Sequence, residues 1–154
     1  MLSTRDVIDG IFADAASGNL ADVMRWWADD GVLEDVTLAQ AFSGRAQITA
    51  YLDMYYSALP GLIYQPIRLL VDGPTAVVEW AQNVTVAAPF DGVDATGTTL
   101  FLHAVDVFHV VDGLIQHESS WYGDGWLRQR LERAPGLPEA VPLSPPTRAS
   151  GQRF

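Results

Sequence analysis

Cysteine is absent from these 154 residues, which excludes disulfides, thiolate metal sites and cysteine nucleophiles and fits a reducing cytoplasm. Basic residues are scarce: nine Lys and Arg stand against nineteen Asp and Glu, a formal net charge of -10, and they are scattered. No cationic stripe exists to neutralise phosphates, so neither nucleic acid nor an anionic membrane is an expected partner. No apolar run approaches membrane-spanning length, and no basic segment followed by an unbroken apolar stretch opens the chain. The expectation is a soluble, cytoplasmic protein. Internal repeats, a glycine-rich phosphate loop, a dinucleotide fingerprint and a nucleophile elbow are also missing.

What is present is apolar material. With 49% hydrophobic residues the chain can bury a full core without metals or disulfides. Ser3 can cap a helix whose apolar residues Val7, Ile8, Ile11, Phe12 and Ala15 keep helical spacing, with Asp6 in its first turn. Ser17-Gly18-Asn19 ends it. Leu20, Val23, Met24 and Trp27 predict a second, shorter helix, stopped by Asp29-Asp30-Gly31. Residues 37–42 show no clear period. Ser43 then precedes a third helix with a buried stripe of Ile48, Tyr51, Leu52 and Tyr55, closed by Pro60-Gly61.

From Leu62 the period becomes strand-like. A strand over 63–71 is interrupted by Pro66, which predicts an edge position or a bulge. Strands over 75–85, 98–110 and 114–122 follow, with turns at Asp72-Gly73-Pro74 and Asp112-Gly113. Asp124 is placed to cap a last helix over 125–132. Residues 134–154 hold five prolines and no hydrophobic period, so residues 1–133 are expected to form the single domain and 134–154 an extended or disordered tail. Helices first and an antiparallel meander after is the α+β pattern, helices on one face of a sheet that curls around a cavity.

Two carboxylates draw attention. Asp35 ends the short apolar strand Val32-Leu33-Glu34-Asp35, where a scaffold presents reactive groups to a loop. The alternative is a turn cap or a partner of Arg45, so its surroundings decide between a chemical and a structural role. Asp106 shares a strand face with Leu102, Ala104, Phe108 and Val110, where an ionised, unpaired carboxylate is costly. A neutral carboxyl or one satisfied by a neighbour are the two outcomes.

The order of joints resembles the nuclear transport factor 2-like superfamily, in its SnoaL-like polyketide cyclase and ketosteroid isomerase branch. The residues that carry the resemblance are Gly18-Asn19-Leu20, Ala28-Asp29-Asp30, Glu34-Asp35, Ser43-Gly44, Val105-Asp106-Val107-Phe108, and Asp112-Gly113-Leu114-Ile115 leading to Trp121-Tyr122. The resemblance spans roughly residues 3 to 132 and implies a cone-shaped fold, a strongly curved, mixed, mostly antiparallel sheet enclosing an apolar pocket. It implies Asp35 as a base at the cavity mouth and Asp106, the drier of the two, as a protonated donor to a substrate oxyanion. Ile11 stands where the isomerases carry a helix tyrosine, and Ser120 where the cyclases carry an acid, with Glu118 two residues away on the same strand face. Ile11, Trp27, Tyr55, Trp80, Phe108, Glu118, Ser120 and Tyr122 are the residues expected around a ligand.

Neither role requires a metal or cofactor, and none is expected. His103, His109 and His117 alternate away from Asp106 and Glu118 and show no ligand spacing. Three functions remain: a cofactor-free isomerase, cyclase or dehydratase acting on a hydrophobic carbonyl or polycyclic molecule, which is favoured; a hydrophobic small-molecule binder of the same shape; and a protein-interaction module. The sheet face carrying His103, Val105, Val107 and His109 is apolar enough to expect a homodimer.

Overall fold

The computed structural model describes residues 2–61, 66–90, 92 and 94–123. The last helix and the tail expected after residue 123 lie outside the described residues.

Helix α1 (Thr4–Ser17) starts with a reciprocal cap: the Ser3 side chain accepts from the Asp6 amide while the Asp6 carboxylate accepts from Ser3. It ends on Gly18 at φ 72, a left-handed position that a glycine fills without a Cβ penalty. Helix α2 (Leu20–Met24) is capped by Asn19, and α3 (Arg45–Ala58) begins at Gly44. The strands are β1 (Trp27–Asp35), β2 (Gln40–Ser43), β3 (Pro66–Asp72), β4 (Thr75–Thr85), β5 (Thr99–Val111) and β6 (Leu114–Gly123).

They form one sheet in the order β2-β1-β6-β5-β4-β3. Every neighbouring pair is antiparallel except β1 with β6, which is parallel and joins the start of the sheet to its end. The meander from β3 to β6 follows the sequence reading closely. Pro66 lies on the edge strand, and the pairing of β3 with β4 slips between Pro66 and Arg68. Asp112 and Gly113 both take positive φ, 53 and 80, as the two central residues of a tight hairpin turn require.

Two local expectations do not hold. The second helix stops at Met24, and Trp27 opens β1 instead of completing a helical face. Its helical spacing is overridden by long-range pairing: the Ile115 amide donates to the Trp26 carbonyl at 2.7 Å, and Trp27 pairs with Ile115. Asp29-Asp30-Gly31 is then an irregularity inside β1, where the register against β6 shifts between Trp27 and Val32, and not a turn. In the segment without a period, Gln40–Ser43 pairs antiparallel with β1 as a short edge strand.

The helices lie against one face of the sheet. Phe12 of α1 meets Phe108 of β5 edge to face at 6.1 Å, and Tyr51 of α3 stacks on Phe42 of β2 at 4.2 Å. On β5 the buried residues alternate as expected, with Leu102, Ala104, Asp106, Phe108 and Val110 inward. His103 and His117 point elsewhere, to Glu79 at 3.0 Å and Glu34 at 3.4 Å.

Gly10 marks the tightest helix contact. A Cβ there would lie 2.1 Å from Cζ2 of Trp26, whose ring is held by a 2.6 Å bond from Nε1 to Asp14 and by Arg25 over its face at 5.2 Å. Alanine normally stabilises a helix interior over glycine by about 1 kcal/mol, but displacing a pinned ring costs about 1–3 kcal/mol. Gly10→Ala is therefore expected to lower stability in urea denaturation, and a gain would show that the Trp26 ring moves freely.

Candidate functional site

The pairing of β1, β6, β5 and β4 sets the inner face in rows. Asp35 lies opposite Ser120, Ser120 opposite Asp106, and Asp106 opposite Val78. One row along, Leu33 lies opposite Glu118 and Glu118 opposite Phe108. Three carboxyl groups thus share one wall of the core, the same side of the sheet, beneath the helices.

Two adjoining cavities open over this wall. The first, about 50 Å³, lies under α1 and is lined by apolar residues including Ile11, Phe12, Trp27 and Phe108, with Asp106 and Glu118. The second, about 40 Å³, lies toward α3 and is lined by Tyr51, Tyr55, Trp80, Ser120 and Tyr122, again with Asp106 and Glu118. Leu52, Asp106 and Glu118 belong to both. The eight residues expected around a ligand all line one cavity or the other.

The three acids have unlike surroundings. Asp106 is 4% exposed, and each of its oxygens accepts a hydrogen bond: Oδ2 from Trp80 Nε1 at 2.5 Å, Oδ1 from Ser120 Oγ at 2.6 Å. Burial pushes its carboxyl up to about 6, against the opposing pull of the bonds from Ser120 and Trp80, and the Asp35 charge adds to the rise. Glu118 keeps some accessible surface because it lines both cavities, and no hydrogen bond reaches its carboxyl among the described residues. Burial holds it well above the usual carboxylate range, reinforced by the charges of Asp106 and Asp35.

Asp35 differs from what its position at a strand end suggested. It is fully buried, 0% exposed, and lines neither cavity, so it is neither at a mouth nor wetter than Asp106. Its Oδ2 accepts from the hydroxyls of Tyr51 at 2.5 Å and Tyr122 at 2.7 Å, and its Oδ1 from the Leu38 amide at 2.9 Å. Arg45 goes elsewhere, donating to the Trp27 carbonyl at 2.6 Å and meeting Asp29 at 3.6 Å. The physical reason is that α3 folds back over β1 and brings a tyrosine onto the carboxylate, while parallel β6 supplies a second. Burial, followed by neighbouring Tyr122 and Asp35, holds the Tyr51 hydroxyl far above its ordinary range, so it stays a donor. Tyr51 was legible as part of a buried stripe, but nothing local linked it to Asp35.

Among the described residues no group of three or more His, Cys, Asp and Glu is placed to hold a metal ion, and no helix is long and apolar enough to cross a membrane. The side chains that meet the cavities are acids, tyrosines, a serine, two indoles and apolar groups.

Residues 8–118 match the family model of the SnoaL-like domain, and the chain belongs to that family, within the nuclear transport factor 2-like superfamily. No curated protein sequence matches it. Among solved structures it is similar to a candidate ketosteroid isomerase from Kribbella flavida, at 23% identity over 95% of each chain with a TM-score of 0.64. It is similar too to a candidate polyketide cyclase from Pseudomonas putida, at 16% identity over 80% of this chain and 93% of the other, TM-score 0.69. AclR, a candidate hydroxylase from Streptomyces galilaeus, matches at 18% identity over 78% of this chain and 88% of its own, TM-score 0.67. At these identities the likeness is one of fold.

The Asp35 cluster yields a stability test. Asp35→Ala leaves two phenol donors and an amide without their acceptor in the core, at about 1–3 kcal/mol for each stranded group. A loss of at least about 3 kcal/mol is expected by urea denaturation, with Tyr51→Phe and Tyr122→Phe costing about 1 kcal/mol each. The double Phe variant should cost more than the sum, because Oδ2 then has no donor. A near-neutral Asp35→Ala would mean that the cluster is not formed in solution.

Proposed function

We propose that the protein is a cofactor-free enzyme that transfers protons on a hydrophobic carbonyl compound held over the inner wall, with Asp106 as the base and Glu118 as the acid. One observation carries this reading: two adjacent carboxyl groups line the same apolar cavities, and among the described residues only one of them is hydrogen-bonded. Groups whose surroundings push their titrations apart divide the roles of acid and base. Asp106, with two donors supporting its anion, ionises first. Glu118, without donors among the described residues and beside that anion, keeps its proton.

The step balances simply. Asp106 takes a proton from the carbon next to the carbonyl as Glu118 gives its proton to the carbonyl oxygen. A C–H bond breaks, an O–H bond forms, and an enol is left between a protonated Asp106 and an ionised Glu118. Return of a proton to the same carbon gives exchange, and return to another carbon gives isomerisation. These 154 residues contain no lysine, so a Schiff base to a side-chain amine is closed. Asp35 serves in this reading as a positioning residue that fixes Tyr51 and Tyr122 in the lining of the second cavity. The family likeness to proteins named as cyclases and isomerases supports the reaction class without naming a substrate.

The test follows deuterium incorporation beside the carbonyl of cyclohexanone in heavy water by NMR. The protein is expected to accelerate exchange, with a rate that rises with pH through about 6 as Asp106 ionises and falls once Glu118 loses its proton. Asp106→Asn is expected to lower the rate at least about a hundredfold. Glu118→Gln should lower it less and remove the fall at high pH. Exchange at the buffer rate, or full activity in Asp106→Asn, contradicts the proposal.

A further inference from the structure

Of the buried side-chain nitrogens and oxygens among the described residues, one has no hydrogen-bond partner: Nε1 of Trp27. Two other indoles that are wholly or partly buried contrast with it, since Trp26 donates to Asp14 and Trp80 to Asp106. Trp27 is 1% exposed and forms part of the first cavity's wall together with Asp106 and Glu118. A buried N–H without an acceptor costs about 1–3 kcal/mol, a cost that a phenylalanine of similar bulk would avoid.

The ring is not free to turn away and find a partner. A Cβ on Gly31 would meet Cε3 of Trp27 at 3.1 Å, so the benzene edge of the indole already packs on the glycine backbone. The Trp27 carbonyl is held by Arg45 Nη1 at 2.6 Å, and its strand position by pairing with Ile115. The backbone irregularity at Asp29-Asp30-Gly31 therefore has a use: it lets the strand pass close beneath a ring whose one polar atom is left without an acceptor.

We propose that Trp27 Nε1–H is the hydrogen-bond donor for the ligand's oxygen, so that the first cavity takes a neutral, apolar compound whose carbonyl oxygen lies against Trp27. This deepens, and rests on, the proton-transfer reading, because the same oxygen receives the proton of Glu118. An indole donor supplies the fixed dipole that Ile11, on the opposing helix and in the same cavity wall, cannot supply. It also selects: a compound with the same ring but no acceptor oxygen fills the cavity and leaves the donor unpaired.

The test compares cyclohexanone with methylenecyclohexane, in which a CH2 of similar size replaces the carbonyl oxygen. Both are titrated into the ¹⁵N-labelled protein while the indole N–H signals are followed. Cyclohexanone is expected to move the Trp27 proton downfield and methylenecyclohexane to leave it nearly in place. Trp27→Phe should bind cyclohexanone about tenfold more weakly, as one lost hydrogen bond implies, and methylenecyclohexane within about twofold of the wild type. The wild-type shift, assigned through bonded neighbours, decides the matter even if Trp27→Phe does not fold. Saturable binding of the ketone, seen at other cavity residues, with the Trp27 proton unmoved overturns this inference alone and leaves the Asp106 and Glu118 roles to the exchange assay. Failure of the wild type to bind either compound overturns both.

Discussion

Parallel pairing of β1 with β6 is the constraint on which the rest depends. It joins the first strand of the chain to the last described one, and its register puts Leu33 beside Glu118 and Asp35 beside Ser120. Without it β1 has only the short edge strand β2 for a partner, and Asp35 loses the neighbour strand that carries Tyr122. A parallel pair needs a long connection between its strands, and here that connection holds β2, α3, β3, β4 and β5. Helix α3 and the meander thus lie in the chain between two strands that end up side by side within the sheet.

That centre is unusual in its charge. Three carboxyl groups face inward within two strand rows, and burying any one unpaired would be expensive. The fold meets this in graded fashion. Among the described residues Asp35 has three donors and lines neither cavity, Asp106 has two and lines both, and Glu118 has none and lines both. The first is thereby fixed as structure, while the second and third are left close, repelling and unequally supported. Unequal support is what separates an acid from a base when both are the same kind of group. Trp27 extends the pattern, as a residue of the first cavity's lining whose buried indole N–H has no acceptor among the described residues.

Much of this was legible in the sequence where the signal is local. The alternation around Asp106 put it on the inner face of a long strand, the Asp112-Gly113 turn set the last hairpin, and the stripe through Ile48, Tyr51, Leu52 and Tyr55 marked the buried side of α3. What failed was set by distant partners. Trp27 satisfies a helical period with Leu20, Val23 and Met24, and only Ile115, far along the chain, makes it the start of a strand. The burial of Asp35 depends on Tyr51 and Tyr122, 16 and 87 residues away, so a strand-end carboxylate looked exposed when it is enclosed. The place of Glu118 at the meeting of both cavities needed the β5 to β6 register, although its strand parity with Ser120 already allowed it.

The central claim is that Asp106 and Glu118 form one interacting pair with unequal proton affinities. It is tested most directly by following the side-chain carboxyl ¹³C signals of both residues against pH, in the wild type and in Asp106→Asn. The account expects Asp106 to titrate near 6 and Glu118 at a higher pH, with the Glu118 midpoint falling when the neighbouring charge is removed. Midpoints for both in the ordinary carboxylate range, unchanged for Glu118 in Asp106→Asn, would contradict it.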